Sequence, residues 1–207
     1  MGRFYRNNPP AHPGHGERIL NIRQRRQLHL IFELGAYRLQ QVTGADASVL
    51  SAMENVEGIV RENTVRLERG SLKDGSVTGG VVFSISNSRL TKTTVRATAE
   101  KNEVFLKKMK GDVDRFMAAS ATADWYNAAA AKAEAKANEN TLTVEGGTFT
   151  MTESPYATSS MTGAKATVNI YGEALVGTAE ASKNTVFSSA DAVWQSVTGG
   201  EAFVSST

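Results

Sequence analysis

The amino-acid sequence predicts a mainly β protein: a repetitive β-solenoid, or parallel β-helix-like region, with an N-terminal α-helical cap and an Ala-rich helical insertion. Three observations lead there. A unit centred on Asn occurs four times, the chain beyond about residue 62 is rich in Thr, Val and Gly between turn residues, and aromatic residues are only 7% of 207. A chain of this length can bury a real core. Here it must be assembled from small and β-branched side chains.

Residues 1–16 hold three of the four prolines, in Asn7-Asn8-Pro9-Pro10 and Pro13-Gly14, a composition that continues neither helix nor central strand and is read as a flexible Pro/Gly/His arm. Residues 17–61 are assigned to the basic helical cap. Leu28, Ile31, Phe32, Leu39 and Val42 recur at helical intervals, although Leu28, Leu30, Phe32 and Leu34 also alternate as a strand would. After Gly44, Asp46 offers an N-cap, and Val49, Leu50, Met53, Val56 and Val60 form one apolar stripe. Residues 62–207 form the β-region. Within it, residues 116–137 contain Ala128 to Ala131 followed by Lys132, Glu134 and Lys136, with no Gly or Pro, which predicts the helical insertion.

The repeat is the strongest signal. Glu62-Asn63-Thr64-Val65-Arg66-Leu67 returns as Lys101-Asn102-Glu103-Val104-Phe105-Leu106, as Glu139-Asn140-Thr141-Leu142-Thr143-Val144 and as Lys183-Asn184-Thr185-Val186-Phe187, at intervals of 39, 38 and 44 residues. The pentapeptide Ser76-Val77-Thr78-Gly79-Gly80 recurs unchanged as Ser196-Val197-Thr198-Gly199-Gly200. Asn, alternating Val or Leu, then Gly reads as turn, half-buried strand, turn. One such strand cannot bury its apolar face, and stacking units in register does so, with Asn63, Asn102, Asn140 and Asn184 aligned as a side-chain ladder. An interval of 38 to 44 residues exceeds one narrow coil, so each unit is two rungs or one rung with an excursion. An antiparallel sandwich of duplicated hairpins is the competing arrangement.

The pattern Ala-x-x-Asn-Thr-Val-x-Leu-x-x-Gly, followed by Val-x-Gly-Gly or Ile-Tyr-Gly and a small-residue spacer, resembles the passenger repeats of bacterial autotransporter-like surface proteins. It is carried by Asn140 to Gly147 and by Ile170-Tyr171-Gly172 through Gly177-Thr178-Ala179 to Asn184-Thr185-Val186, within residues 62–207. The resemblance implies an extended right-handed β-solenoid exposed at a cell surface, a stalk or adhesive scaffold that self-associates or meets a host ligand.

Charge supplies the alternative. Residues 1–40 carry seven Arg against Glu17 and Glu33, a local net of +5 in a chain of net +2. Arg18, Arg23, Arg25 and Arg26 are the candidate nucleic-acid contacts of a virion-type assembly protein, since each neutralised phosphate releases counterions. The competing reading of these arginines is a solvated face.

Signatures for a phosphate loop, a zinc protease or a nucleophile elbow are absent from the sequence, and with no Cys and three His the expectation is a non-enzymatic chain without cofactor or metal. Asp112 and Asp114 flank Val113 on one face, and a solvated turn is preferred to a cation site. His12 and His15 are assigned to the arm and His29 to a helix surface. Trp125, beside Asp124 and Tyr126, and Trp194 are expected in the core rather than as binding aromatics. No apolar run near Met1 has signal-peptide form and none spans a bilayer, so the chain as written is read as soluble.

Overall fold

The computed structural model describes residues 19–24, 27–31, 38–51, 55–87, 93–126, 131–151, 159–171 and 175–206. All the regular elements among them are β-strands. A first coil contains β1 (Ile19–Gln24), β2 (Gln27–Ile31) and β3 (Arg38–Ser51), and a second contains β4 (Asn55–Arg61), β5 (Thr64–Glu68) and β6 (Ser71–Ser86). In the third, β7 (Thr94–Glu100) precedes one long strand, β8 (Glu103–Tyr126), turned by the positive φ of Lys108 and Gly111. The fourth holds β9 (Ala131–Asn138), β10 (Thr141–Met151) and β11 (Ser160–Tyr171). The fifth holds β12 (Leu175–Glu180), β13 (Thr185–Ser188) and β14 (Ser196–Ser206).

Like pairs with like. One wall stacks β1, β4, β7, β9 and β12, and the rest of the circuit stacks β13, β10, β8, β11 and β14 together with β2, β3, β5 and β6. Each paired strand runs parallel to its neighbour, which removes the antiparallel sandwich. The fold is therefore a β-solenoid with four coil-to-coil steps. Each repeat interval makes one wide coil of three strand segments, not two narrow rungs.

The width arises because each coil encloses two apolar lobes. In one, β4, β7 and β9 face the C-terminal halves of β6, β8 and β11 across a filling dominated by Ala97, Ala99, Ala121, Ala123, Ala135 and Ala166, with Trp125 and Ile170 also buried there. In the other, Leu67, Leu106, Met109, Phe116, Leu142 and Met161 pack together. Phe116 meets Phe149 edge to face at 5.4 Å between centroids, and Trp194 of the fifth coil completes the stack at 5.7 and 5.9 Å.

Two helix expectations are corrected. The described part of residues 17–61 is strand, β2 spanning Leu28 and Leu30, two of the positions that alternate in the sequence. The boundary placed near residue 62 falls at a corner within the second coil. Residues 116–137 are also strand wherever described, in β8 and β9. Ala is a strong helix former in isolation, but here Ala133, Ala135 and Ala137 alternate with Lys132, Glu134 and Lys136, so period-2 burial beside parallel neighbours overrides propensity. The arm at residues 1–16 and Ala128 to Ala130 lie outside the described residues.

Candidate interaction surface

The four repeat-defining asparagines stand one above another at the seam between the lobes. Asn63 Nδ2 donates to Asn102 Oδ1 at 2.7 Å, Asn102 Nδ2 to Asn140 Oδ1 at 2.9 Å, and Asn140 Nδ2 to Asn184 Oδ1 at 3.0 Å. Each of these oxygens also accepts the main-chain N–H of the preceding Asn, at 3.2, 2.9 and 2.9 Å. Asn102, Asn140 and Asn184 further donate to the carbonyls of Val60, Ala99 and Ala137. Asn63, Asn102 and Asn140 are buried, where unmet polar groups are costly.

The residue before each Asn adopts left-handed backbone: Glu62, Lys101, Glu139 and Lys183, with φ of 56°, 55°, 57° and 55°. That conformation costs a residue other than Gly roughly 1–2 kcal/mol, and the ladder over-determines it. The Gly-Gly pairs serve the same seam from the opposite wall. A Cβ on Gly80 would lie 2.9 Å from Asn102 Oδ1, and one on Gly200 3.2 Å from Asn184 Nδ2; at Gly79 it would meet the Ala118 carbonyl oxygen at 2.5 Å. Gly199 has more room, its nearest contact being the Asn184 carbonyl oxygen at 3.4 Å.

Outward-facing charges pair from coil to coil. Arg61 meets Glu100 at 2.6 Å, Arg96 meets Glu134 at 2.6 Å, and Lys107 meets Glu145 at 3.7 Å. Partial burial pushes the Glu134 carboxyl up, but hydrogen bonds and charge from Lys132 and Arg96 outweigh it and hold the group below the ordinary Glu value. The alternating left-handed residues form a further row, in which Glu139 approaches Lys101 and Lys183, each at 3.9 Å.

The outer face of β8, β11 and β14 carries a different strip. Asn169 Nδ2 donates to Asp124 Oδ1 at 2.8 Å, and Ser205 Oγ donates to Asn169 Oδ1 at 2.8 Å. Beside them Tyr126 and Tyr171 stack with centroids 4.5 Å apart and planes 5° from parallel, both rings exposed. Asp124 is buried, and desolvation raises its carboxyl above the ordinary Asp value although the Asn169 bond opposes this. The strip offers the two phenol hydroxyls, the exposed ring edges and the Ser205 hydroxyl to an outside ligand, with Asp124 buried beneath as the anchor of Asn169.

Other sequence candidates are dispersed. Arg23 lies in β1 in register with Ile59, while Arg18, Arg25 and Arg26 fall outside the described residues, as do His12 and His15. His29 sits on β2 opposite Arg66, on a strand rather than a helix. Asp112 and Asp114 do share the outer face of β8, where Asp112 accepts from the Thr150 hydroxyl and Asp114 from Ser76 Oγ at 3.3 Å. Among the described residues no group of three or more acidic or His side chains is placed to hold a metal ion, and no described helix is long and apolar enough to cross a membrane. Trp125 is fully buried and Trp194 packs against the large-residue lobe, as expected of core aromatics. The Tyr pair and the Glu–Lys alternation were not singled out as functional from sequence. The alternation was visible before each Asn but acquires meaning only once coils are known to stack. Comparison with protein-family models, curated proteins and solved structures finds no match to the chain.

Proposed function

We propose that this chain is a non-enzymatic structural scaffold whose outer faces carry adhesive contacts, of the kind implied by its likeness to autotransporter-like passenger repeats. One observation carries the reading: the repeated Asn and charged residues are engaged between coils, while the Tyr126–Tyr171 stack stands exposed on an outer wall beside the Asn169–Ser205 pair. A wall of parallel strands at about 4.8 Å spacing displays such rows at fixed intervals, which suits a repetitive or extended ligand.

Immobilised protein should retain members of a panel of glycans and matrix proteins, and the double variant Tyr126→Ala, Tyr171→Ala should lose that retention while keeping its β circular dichroism. Equal retention by the variant removes the strip from the proposal. Salt-sensitive binding of RNA or DNA oligonucleotides, weakened by replacing Arg23, Arg25 and Arg26 with Gln, would instead establish the nucleic-acid role.

A further inference from the structure

We propose that the corner between β5 and β6, which β8 rounds at Lys108, binds a sulfated polysaccharide through Arg69, Lys73, Lys108 and Lys110. All four side chains are exposed. Glu68 is in register with Lys107, so Arg69 stands beside Lys108 in the next coil, about 4.8 Å along the stack. Lys110 is in register with Ser71, two residues before Lys73. Glu68 is paired with Arg66 at 2.7 Å, Glu145 with Lys107 at 3.7 Å, and Asp112 accepts from the Thr150 hydroxyl. Among the described residues, Arg69, Lys73, Lys108 and Lys110 have no ion-pair partner.

Two costs coincide at this corner, and neither serves the fold. Arg69 and Lys108 have φ of 59° and 49°, a left-handed backbone that penalises any residue with a side chain, and the fourth coil makes the same turn with Gly146 at 58°. Like charges in adjacent coils also repel. The Asn corner escapes the second cost, because its left-handed row alternates Glu62, Lys101, Glu139 and Lys183, and the ladder that follows secures its backbone. Here the residues that follow are Gly70, Met109 and Gly147, which have no carboxamide to ladder. Cations stacked where Gly would fold more easily point to a ligand of opposite charge.

The surroundings of the cations choose the occupant. They stand exposed on two successive coils, which suits a chain of anionic groups laid across both. Single-stranded nucleic acid also needs a free aromatic face on which to stack its bases, and Phe105, the aromatic residue that precedes the corner in β8, lies partly buried with the Arg66 guanidinium 4.2 Å from its ring centroid. Sulfates on a polysaccharide need only the cations. Tyr126 and Tyr171 end β8 and β11, on another segment of the circuit, so this site does not depend on theirs.

The test titrates the full chain with a heparin octasaccharide by calorimetry over a series of salt concentrations. Affinity should fall as salt rises. Arg69→Gly combined with Lys108→Gly should weaken binding about tenfold and reduce the log–log salt slope by about 2, while leaving the denaturant midpoint unchanged or raised. Should that variant fail to fold by circular dichroism, Arg69→Gln with Lys108→Gln removes the same charges and should give the same loss, whereas Arg69→Lys with Lys108→Arg should bind as the parent does. Tyr126→Ala with Tyr171→Ala should leave heparin affinity unchanged, which separates failure here from failure of the tyrosine strip. Undiminished binding by the folded Gly or Gln variant, absence of parent binding, equal binding of desulfated heparin, or tighter binding of single-stranded DNA that the same variants lose would each overturn the proposal.

Discussion

The two lobes of each coil solve the same problem with opposite materials. In the lobe behind β7 and β9 the filling is mainly Ala, so the two walls stand close and little apolar area is buried per residue. In the lobe behind β5 and β10, Leu, Met and Phe hold the walls apart and bury far more. Both are close-packed, with most members fully buried. The difference teaches that coil width is set locally by side-chain volume, whereas coil register is set at the seam, where the Asn ladder and the Gly-Gly pairs meet.

The comparison is broken most severely by deleting volume from the thick lobe. Leu106 is fully buried, and Leu106→Ala should cost about 2–5 kcal/mol, measured as a lowered denaturant midpoint with unchanged slope. A loss below 1 kcal/mol would mean the lobe is more compliant than its packing implies. At the seam, Asn102→Ala removes the acceptor for Asn63 and the donor to Asn140 and Val60. Leaving those buried groups unmet should cost about 3 kcal/mol and accelerate amide exchange on both sides of residue 102.

The thin lobe should respond in the reverse sense. Ala121→Leu adds volume where the walls have none to give and should destabilise by about 1–3 kcal/mol, while the same exchange at an exposed site is silent. Ser84 lies in this lobe, in register with Ala123, with its hydroxyl buried and, among the described residues, without a hydrogen-bond partner. Ser84→Ala should therefore stabilise by about 1 kcal/mol, and a destabilised variant would show that the hydroxyl is satisfied.

Smallest are the effects of two outer carboxylates with opposite pH signs. Glu134 is held below its ordinary value, so its contribution is present above that value and lost as pH falls through the folded one. Asp124 is raised by burial, so its ionisation penalises the fold as pH rises from the ordinary value through the folded one. Glu134→Gln should lose less than about 1 kcal/mol near neutral pH, because its cationic partners are half exposed, and should match the parent in acid. Asp124→Asn should be at least as stable as the parent near neutrality. Parallel stability–pH curves for the two variants would contradict this assignment.

The solenoid was legible because its most informative residues recur. Asn63, Asn102, Asn140 and Asn184 announced a ladder, and the two copies of Ser-Val-Thr-Gly-Gly marked equivalent points on the circuit, as the register of Gly80 and Gly200 through Ala119 and Ala164 bears out. The Ala-rich run was misread because local propensity and strand alternation give different answers for Ala-Lys-Ala-Glu-Ala-Lys-Ala, and sequence alone does not weigh a parallel neighbour on each side. The outer strip was less legible still. Asp124 and Asn169 are 45 residues apart, and their bond exists only because β8 and β11 are adjacent in space.

By itself the sequence determined the period, the identity of the ladder residue and the smallness of the core, since these depend on residues repeating at intervals. Tertiary structure decided how many times the chain turns per period, that Ala would serve as strand, and which charges would face each other. Those outcomes depend on coil-to-coil pairing energy, which no single repeat contains.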